Sequence, residues 1–221
     1  MTRLLAIADE VDHSLYSGRV TGLAPDIVLA CGDLPLDYLE YIVTMVNVPL
    51  LFVPGNHDPD LKVKPDGMDP ADFSRSFGLP RMSREPAGPP GCLNLDGRIL
   101  DAGGLRFAGL GGSMRYKPGP NQYTERQMRL RALVLETRAV GSRARDRQPV
   151  DILATHSPAL GIGDGDDPPH RGFASFHRLL RKLAPRYHLH GHVHPYGRVV
   201  QRQRFGSTTV INVVGRTVLD I

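Results

Sequence analysis

The 221-residue sequence has two cysteines, no tryptophan and no long apolar run. Cys31 and Cys92 are too few for a disulfide framework, and Cys31 closes an apolar run as a small buried hydrophobe does. No apolar stretch is long enough to cross a bilayer, and the first apolar run ends at Asp9 without a cleavage site of small residues. These absences predict a cytoplasmic protein without a membrane partner.

The length and composition limit the number of domains. The chain is 41% hydrophobic and 23% charged, and it is long enough to bury one substantial core. No internal repeat, low-complexity segment or linker divides it. We predict a single domain over residues 1–221.

The net charge of +4 raises the question of nucleic acid, because much of the basic excess lies between Arg126 and Arg147. Apolar residues fall near helical spacing there: Leu130, Leu133, Val134 and Val140. This pattern predicts an amphipathic helix whose arginines form the solvated face. No aromatic residue that could stack on bases is interleaved with them. Nucleic-acid binding is therefore possible but not favoured, and the basic face could attract a phosphorylated substrate.

Apolar strands alternate with helical segments along the chain. Strands are predicted at residues 4–9, 26–33, 49–58, 98–101, 105–110, 150–158, 186–194, 197–202, 208–214 and 216–220, with Gly103-Gly104 as a hairpin turn. Helices are predicted at residues 36–43 and 173–183, with a short one near Asp72–Phe77. We expect two sheets packed face to face, with helices outside.

Polar residues interrupt the apolar runs where the strands end: Asp9, Asp33, Asn56, His57, Asp58, His156, His192 and His194. Each one alone is typical of a cap, a turn or a surface residue. Together they stand at the carboxyl ends of strands, where open α/β sheets place their sites. Carboxylate and imidazole groups suit Mn, Fe, Zn or a similar divalent ion.

The motifs AxAD, CGD, GNHD, THSP and HGHVH, in that order, resemble the calcineurin-like metallophosphoesterase superfamily. Members of that superfamily carry D-x-H, GD, GNH[DE], a later H and GHxH. The resemblance covers residues 4–200. It implies an α/β fold that is a four-layer αββα sandwich of two mixed β-sheets flanked by helices.

The resemblance also implies one or two divalent metal ions per chain and a role for each ligand. Asp33 would bridge two ions. Asn56, His156 and His192 would complete the shell of one ion, and Asp9 and His194 would belong to the other. The catalytic pair would be His57, which faces the scissile phosphate, and Asp58 behind it.

The HGHVH and GLGG segments carry further expectations. If HGHVH is extended, alternation sends His192 and His194 to the same side, and the family pattern gives His190 no metal role. GLGGSMRY at residues 109–116 indicates a strand-end turn rather than a phosphate loop, because no Lys-Ser/Thr follows its glycines. Four residues are candidates for substrate contact, although each is more typical of a surface or turn residue: Arg115, Tyr116, Asn121 and Arg171.

The first and second motifs depart from the family pattern. Val11 stands where a metal-binding histidine is expected, and valine cannot bind a metal. Either the first metal site is depleted, or Asp12 or His13 reaches it; the alternative for these two is a cap or loop solvation. The Asp-Arg-Gly of the protein phosphatases is absent after Asp33, which favours a small phosphodiesterase.

Three functions follow from these patterns. The first is a metal-dependent phosphoric ester hydrolase that attacks a phosphodiester or nucleotide-like small molecule with a metal-activated water and has a weakened first metal site. The alternatives are a nucleotide-binding regulatory protein of the same fold with little turnover, and a nuclease. The sequence leaves the oligomeric state open.

Overall fold

The structure is a computed structural model that describes residues 1–61, 88–146, 148–196 and 202–221. The short helix predicted near Asp72–Phe77 lies outside the described residues, as does most of the strand predicted at residues 197–202. Among the described helices, none is both long enough and apolar enough to cross a bilayer.

The strands and helices are numbered in chain order. The strands are β1 (Arg3–Ala8), β2 (Ile27–Ala30), β3 (Leu50–Phe52), β4 (Cys92–Asn94), β5 (Ile99–Ala102), β6 (Leu105–Leu110), β7 (Ser113–Met114), β8 (Gln122–Tyr123), β9 (Ile152–Thr155), β10 (Tyr187–His190), β11 (Gln203–Phe205), β12 (Thr208–Asn212) and β13 (Gly215–Asp220). The helices are α1 (Leu36–Val46), α2 (Glu125–Asp146) and α3 (Ser175–Leu183), with short 3-10 turns at His13–Leu15, Arg19–Leu23 and Pro168–His170.

Within the described residues the strands form two mixed sheets and a small parallel pair. The first sheet has the order β13-β1-β2-β3-β4, in which β1 to β4 are parallel and β13 is antiparallel to β1. The second has the order β11-β12-β10-β9-β6-β5, in which the two edge strands are antiparallel to their neighbours. The predicted hairpin is confirmed, with Gly103-Gly104 at φ 54° and 77° between β5 and β6.

Alternation along each strand places apolar residues on both faces of both sheets. In β1, Leu4 and Ala6 belong to the core cluster between the sheets, whereas Leu5 and Ile7 face the layer of α1. The outer face of the second sheet packs against α2 and α3. Sheets buried on both faces need continuous apolar strands, which is what the sequence provides. The predicted four-layer sandwich of two mixed sheets and flanking helices is confirmed.

Helix α2 is present as predicted, but its buried face is different from the one expected. Leu130, Leu133, Val134 and Val140 are exposed, and the residues that pack against the sheet and α3 are Met128, Ala132, Leu135 and Ala139. Both sets satisfy a helical period. The small alanine side chains allow α2 to approach its neighbours closely, which the larger leucines and valines would prevent.

Candidate metal centre

Four potential metal ligands meet where strands of both sheets end. Asp9 follows β1, Asp33 follows β2, His156 follows β9, and His192 lies just beyond β10. Their ligand atoms all lie within 4.8 Å of one another. The first sheet therefore supplies two carboxylates and the second sheet two imidazoles, and the group spans the gap between the sheets.

The backbone at three of these residues is left-handed. The φ angles are 59° at Asp9, 56° at Asp33 and 70° at His192. An L-residue in this conformation costs about 1–2 kcal/mol, somewhat less for aspartate, and it persists only where the surrounding structure holds it. The fold therefore stabilises a sharp turn after each of these strands, at the residue that is a candidate ligand.

Two glycines of the motifs allow the ligands to approach the neighbouring backbone. A Cβ atom on Gly55 would overlap the Asp33 carboxylate, and a Cβ atom on Gly191 would overlap the Asp9 carboxylate. Any larger residue would displace a metal ligand. This close approach gives a physical reason for the glycine in GNHD and for the glycine in HGHVH.

Each of the two histidines of the group is held by a hydrogen bond from one ring nitrogen to a backbone carbonyl. His156 donates through Nδ1 to the Cys31 carbonyl at 2.8 Å, and His192 donates through Nε2 to the Pro169 carbonyl at 2.7 Å. A carbonyl oxygen accepts only, so each ring uses one nitrogen for this contact and leaves the other, Nε2 of His156 and Nδ1 of His192, for a second partner. A ring nitrogen bound to an outer oxygen, with the opposite nitrogen free, is the usual arrangement of metal-binding histidines.

His156 and Asp33 form a buried, charge-coupled pair. Nε2 of His156 lies 3.3 Å from Oδ2 of Asp33. Burial lowers the pKa of His156, but the Asp33 carboxylate outweighs it and raises the pKa to about 9. Burial likewise raises the pKa of Asp33, but the contact with His156 leaves it below its usual value. The proton shared by His156 and Asp33 therefore lies at a position where a metal cation could bind in its place.

At Asp9 and His192, burial changes the pKa more than the neighbouring opposite charges do, so the neutral form of each group is favoured. Burial raises the pKa of Asp9 to about 6. Burial and the nearby charge of His156 lower the pKa of His192 to about 3. His192 is therefore neutral at pH 7, as a metal ligand must be.

Asn56 adds an amide to this group. Its Oδ1 lies 3.0 Å from Nε2 of His156, and its side chain is buried. Its Nδ2 has no hydrogen-bond partner among the described residues. A buried, unpaired amide is costly unless something else occupies the site, so Asn56 fits a place beside a bound ion and an anionic ligand.

The second half of HGHVH does not continue the strand as expected. Strand β10 ends at His190, and the left-handed turn at His192 breaks the alternation that was predicted to direct His192 and His194. His190 is buried and its Nδ1 donates to the Gly191 carbonyl. His194 lies outside the group of four and pairs through Nδ1 with Oε1 of Glu10 at 2.8 Å. Sequence analysis missed Glu10, although a carboxylate directly after Asp9 was a signal for it.

His57 and Asp58 are held in the loop that carries Asn56. The backbone N–H of His57 donates to Oδ1 of Asp33 at 2.8 Å, and the residue is exposed. The Asp58 carboxylate accepts from the backbone N–H groups of Gly55 at 2.7 Å and Asp33 at 3.2 Å. Among the described residues it makes no hydrogen bond to the His57 ring. Asp58 was expected to hold the His57 ring in position, but its carboxylate instead accepts hydrogen bonds from the backbone of the loop. Those two backbone N–H groups lie at strand ends and need an acceptor.

The two candidates to replace the missing histidine are engaged elsewhere. Asp12 caps the turn at Ser14 and pairs with Arg216 at 3.2 Å. His13 stacks on Tyr16. Val11 packs against the hydrophobic cluster on the outer face of the first sheet. The alternative that gave Asp12 a capping role is therefore confirmed.

The candidates for substrate contact have local structural roles. Arg115 donates to the Gln122 carbonyl and to Gln127, and with Tyr116 it lines an open cavity of about 500 Å³. Asn121 donates to the Asp58 carbonyl at 3.3 Å. Arg171 is exposed. The GLGG segment forms the end of a strand and the turn after it, as predicted: Gly109 and Leu110 end β6, and Gly112 N–H donates to the Pro54 carbonyl before GNHD.

The donor set fits a divalent transition-metal ion. Two carboxylates, two imidazole nitrogens and an amide oxygen suit Zn, Mn or Fe, whereas Mg and Ca prefer oxygen alone. The carbonyl contacts of the two rings and the unpaired amide of Asn56 add independent support. Asp9, Asp33, Asn56, His156 and His192 are the residues of this group that would hold divalent metal, which would displace the proton of His156.

Comparison with known proteins gives a family and two structures of similar fold. The family model described as calcineurin-like phosphoesterase matches residues 4–196. One solved structure is 17% identical, with a TM-score of 0.63, over 99% of this chain and 95% of its own. The structure of TT1561 of Thermus thermophilus is 16% identical, with a TM-score of 0.58, over 97% of this chain and 89% of its own. No curated protein sequence matches the chain.

The likeness to these two structures concerns the fold, because both sequence identities are low. The family match covers nearly the whole chain and all the motifs that supply the candidate ligands. Members of this family are phosphoester hydrolases that bind divalent metals. The chain belongs to the calcineurin-like phosphoesterase family.

Proposed function

We propose that the protein hydrolyses a phosphodiester or nucleotide-like small molecule with a metal-activated water. The observation that carries this proposal is the group of Asp9, Asp33, His156 and His192, whose ligand atoms lie within 4.8 Å of one another. Divalent ions bound in such a site lower the pKa of a water molecule and polarise the phosphoryl oxygens.

The chain's own residues would orient the substrate and move a proton. His57 stands exposed beside Asp33, where its imidazolium ring would donate a proton to the oxygen of the leaving group. Asp58 would keep the loop rigid by accepting from Gly55 and Asp33. The unpaired Nδ2 of Asn56 is a donor available to a phosphoryl oxygen.

The position of the basic residues supports a small substrate rather than nucleic acid. The arginine-rich helix α2 packs on the outer face of the second sheet, whereas the candidate ligands stand at the carboxyl ends of the strands. No aromatic residue lies within α2 that could stack on bases. A nuclease and a nucleotide-binding protein with little turnover stay as outcomes of the test.

The test is an assay of metal-reconstituted protein against bis-p-nitrophenyl phosphate, p-nitrophenyl phosphate and single-stranded DNA. We expect the diester to be hydrolysed faster than the monoester, because the protein-phosphatase motif after Asp33 is absent. Faster, salt-sensitive cleavage of DNA would favour the nuclease. The absence of turnover with every one of Mn, Fe, Zn, Co, Ni and Mg would contradict the enzyme proposal.

We also expect unequal occupancy of two metal sites. One ion would have the ligands Asp33, Asn56, His156 and His192, and the other would have Asp9, Asp33 and His194, because Val11 offers no ligand. The loss of an outer partner alone costs about 10–100-fold in metal affinity, so a lost ligand should cost at least as much. Titration calorimetry with Mn²⁺ should therefore show two ions whose dissociation constants differ at least about tenfold.

The control for this measurement is a pair of single variants. His194→Ala should abolish only the weaker binding event, and His192→Ala should abolish the tighter one. Two ions of equal affinity in the unmodified protein would show that the first site is not weakened.

A further inference from the structure

Glu10 and His194 are 184 residues apart in sequence and meet at the edge of the candidate site. Oε1 of Glu10 lies 2.8 Å from Nδ1 of His194. Two backbone contacts set up this meeting. Glu10 N–H donates to the Ala8 carbonyl in a tight turn after β1, and His192 N–H donates to Oδ2 of Asp9 at 2.9 Å.

The contact determines which nitrogen of His194 is available. An ionised carboxylate accepts hydrogen bonds and cannot donate, so Nδ1 carries the proton and Nε2 has the free lone pair. The Cys31 carbonyl accepts in the same way from Nδ1 of His156, and the Pro169 carbonyl accepts from Nε2 of His192. Each of the three candidate histidine ligands therefore makes a hydrogen bond through one ring nitrogen to an oxygen that is not itself a candidate ligand.

Glu10 differs from the other two partners because it is a charged side chain. A carboxylate behind a ligating histidine fixes its ring orientation and increases its basicity, and so strengthens the metal–nitrogen bond. Glu10 directly precedes Val11, the residue at which the first motif lacks its histidine. Asp12 is already engaged by Ser14 and Arg216, so Glu10 is the carboxylate of this segment that faces His194.

We propose that Glu10 is a positioning residue of the first metal site, which orients His194 and partly compensates for the ligand that Val11 cannot supply. This inference rests on the proposed function, because it concerns the weaker of the two ions. Glu10 acts through His194 and does not itself bind the metal. The site therefore keeps three ligands, one of them strengthened by a carboxylate.

The test is calorimetric titration of the full chain with Mn²⁺, comparing Glu10→Ala and Glu10→Gln with the unmodified protein. Glu10→Ala should raise the dissociation constant of the weakly bound ion by about 10–100-fold. The dissociation constant of the tightly bound ion should change by no more than about twofold. Glu10→Gln should weaken binding of the weakly bound ion by an intermediate amount, because the glutamine amide oxygen still accepts from Nδ1–H but lacks the charge that increases the basicity of the ring. Asp166→Ala is the matched control: it removes an exposed carboxylate from another loop and should change neither constant.

Three results would overturn the inference. If Glu10→Gln binds the weaker ion as weakly as Glu10→Ala does, the hydrogen bond to Nδ1 does not orient the ring and Glu10 is not a positioning residue. If Glu10→Ala binds both ions as the unmodified protein does, Glu10 has no role. If both ions weaken equally, the effect is a general loss of structure. Failure of the unmodified protein to bind any ion would instead contradict the proposed function itself.

Discussion

Protein that carries Asp33→Asn should lose most of its bound metal and nearly all of its turnover. The Asp33 carboxylate lies against both His156 and the backbone N–H of His57, and the resemblance gives it the bridging position. Asparagine keeps the size of the side chain, tolerates the left-handed φ of 56° and can still accept from His57 N–H. The change therefore removes charge with little change of shape.

The expected loss can be stated in magnitude. Metal activation stabilises the transition state by several kcal/mol, so the turnover of bis-p-nitrophenyl phosphate should fall by about 10³-fold or more. Elemental analysis after dialysis measures the metal content, and His156→Ala should give the same result. Asp37→Asn, an exposed acid on α1, serves as the control. Full metal content in Asp33→Asn would show that Asp33 is not a ligand.

The His57→Ala variant should keep its metal and lose turnover by about 10²–10⁴-fold, the range of general acid–base catalysis. The His57 contact with Asp33 is made by its backbone N–H, which alanine also has. The ligand cluster should therefore be unchanged, and elemental analysis should give the wild-type metal content. The loss should be largest for a diester with a poor leaving group, because such a group needs the proton most.

Leaving-group dependence provides the control for this prediction. A p-nitrophenolate leaves without a proton, so His57→Ala should affect p-nitrophenyl esters less than alkyl esters. A wild-type rate on a poor leaving group would exclude His57 from catalysis. Loss of metal from this variant would instead point to a structural role for the side chain.

The positions of the candidate ligands could be predicted because each one interrupts an apolar strand. Asp9, Asp33 and His156 stand directly at the boundary between a buried run and a turn, and parallel strands place their carboxyl ends at one edge. The order of the motifs then supplied the pairing between distant segments. The positions of the strands and of the polar residues that end them depend on local sequence, so both could be predicted.

The conformation of the chain at the ligands could not be predicted. The left-handed turn at His192 depends on contacts with Asp9 and Pro169, which come from distant parts of the chain. The partners of Asp58 and Glu10 depend likewise on which strand ends become neighbours. Hydrophobic periodicity predicts neither the turn at His192 nor the partners of these two carboxylates.

The buried face of α2 shows a different limit of sequence analysis. Large apolar residues at 130, 133, 134 and 140 fit a helical period as well as Met128, Ala132, Leu135 and Ala139 do. The choice between the two faces depends on the space that the second sheet and α3 leave for the helix. That space is a property of the assembled layers, so it was decided only by packing.

The division of the ligands between two sheets has a consequence for the motions of the molecule. Asp9 and Asp33 belong to one sheet, and His156 and His192 to the other, with an apolar core between them. A fluctuation that separates the sheets at this edge would release an ion bound by these residues, so the free energy of ion binding would add to the cost of that opening. At a free metal concentration 100 times the dissociation constant this amounts to about 2.7 kcal/mol. Metal supply would then control how often the two sheets separate at this edge, and with it the rates of amide hydrogen exchange and proteolysis there.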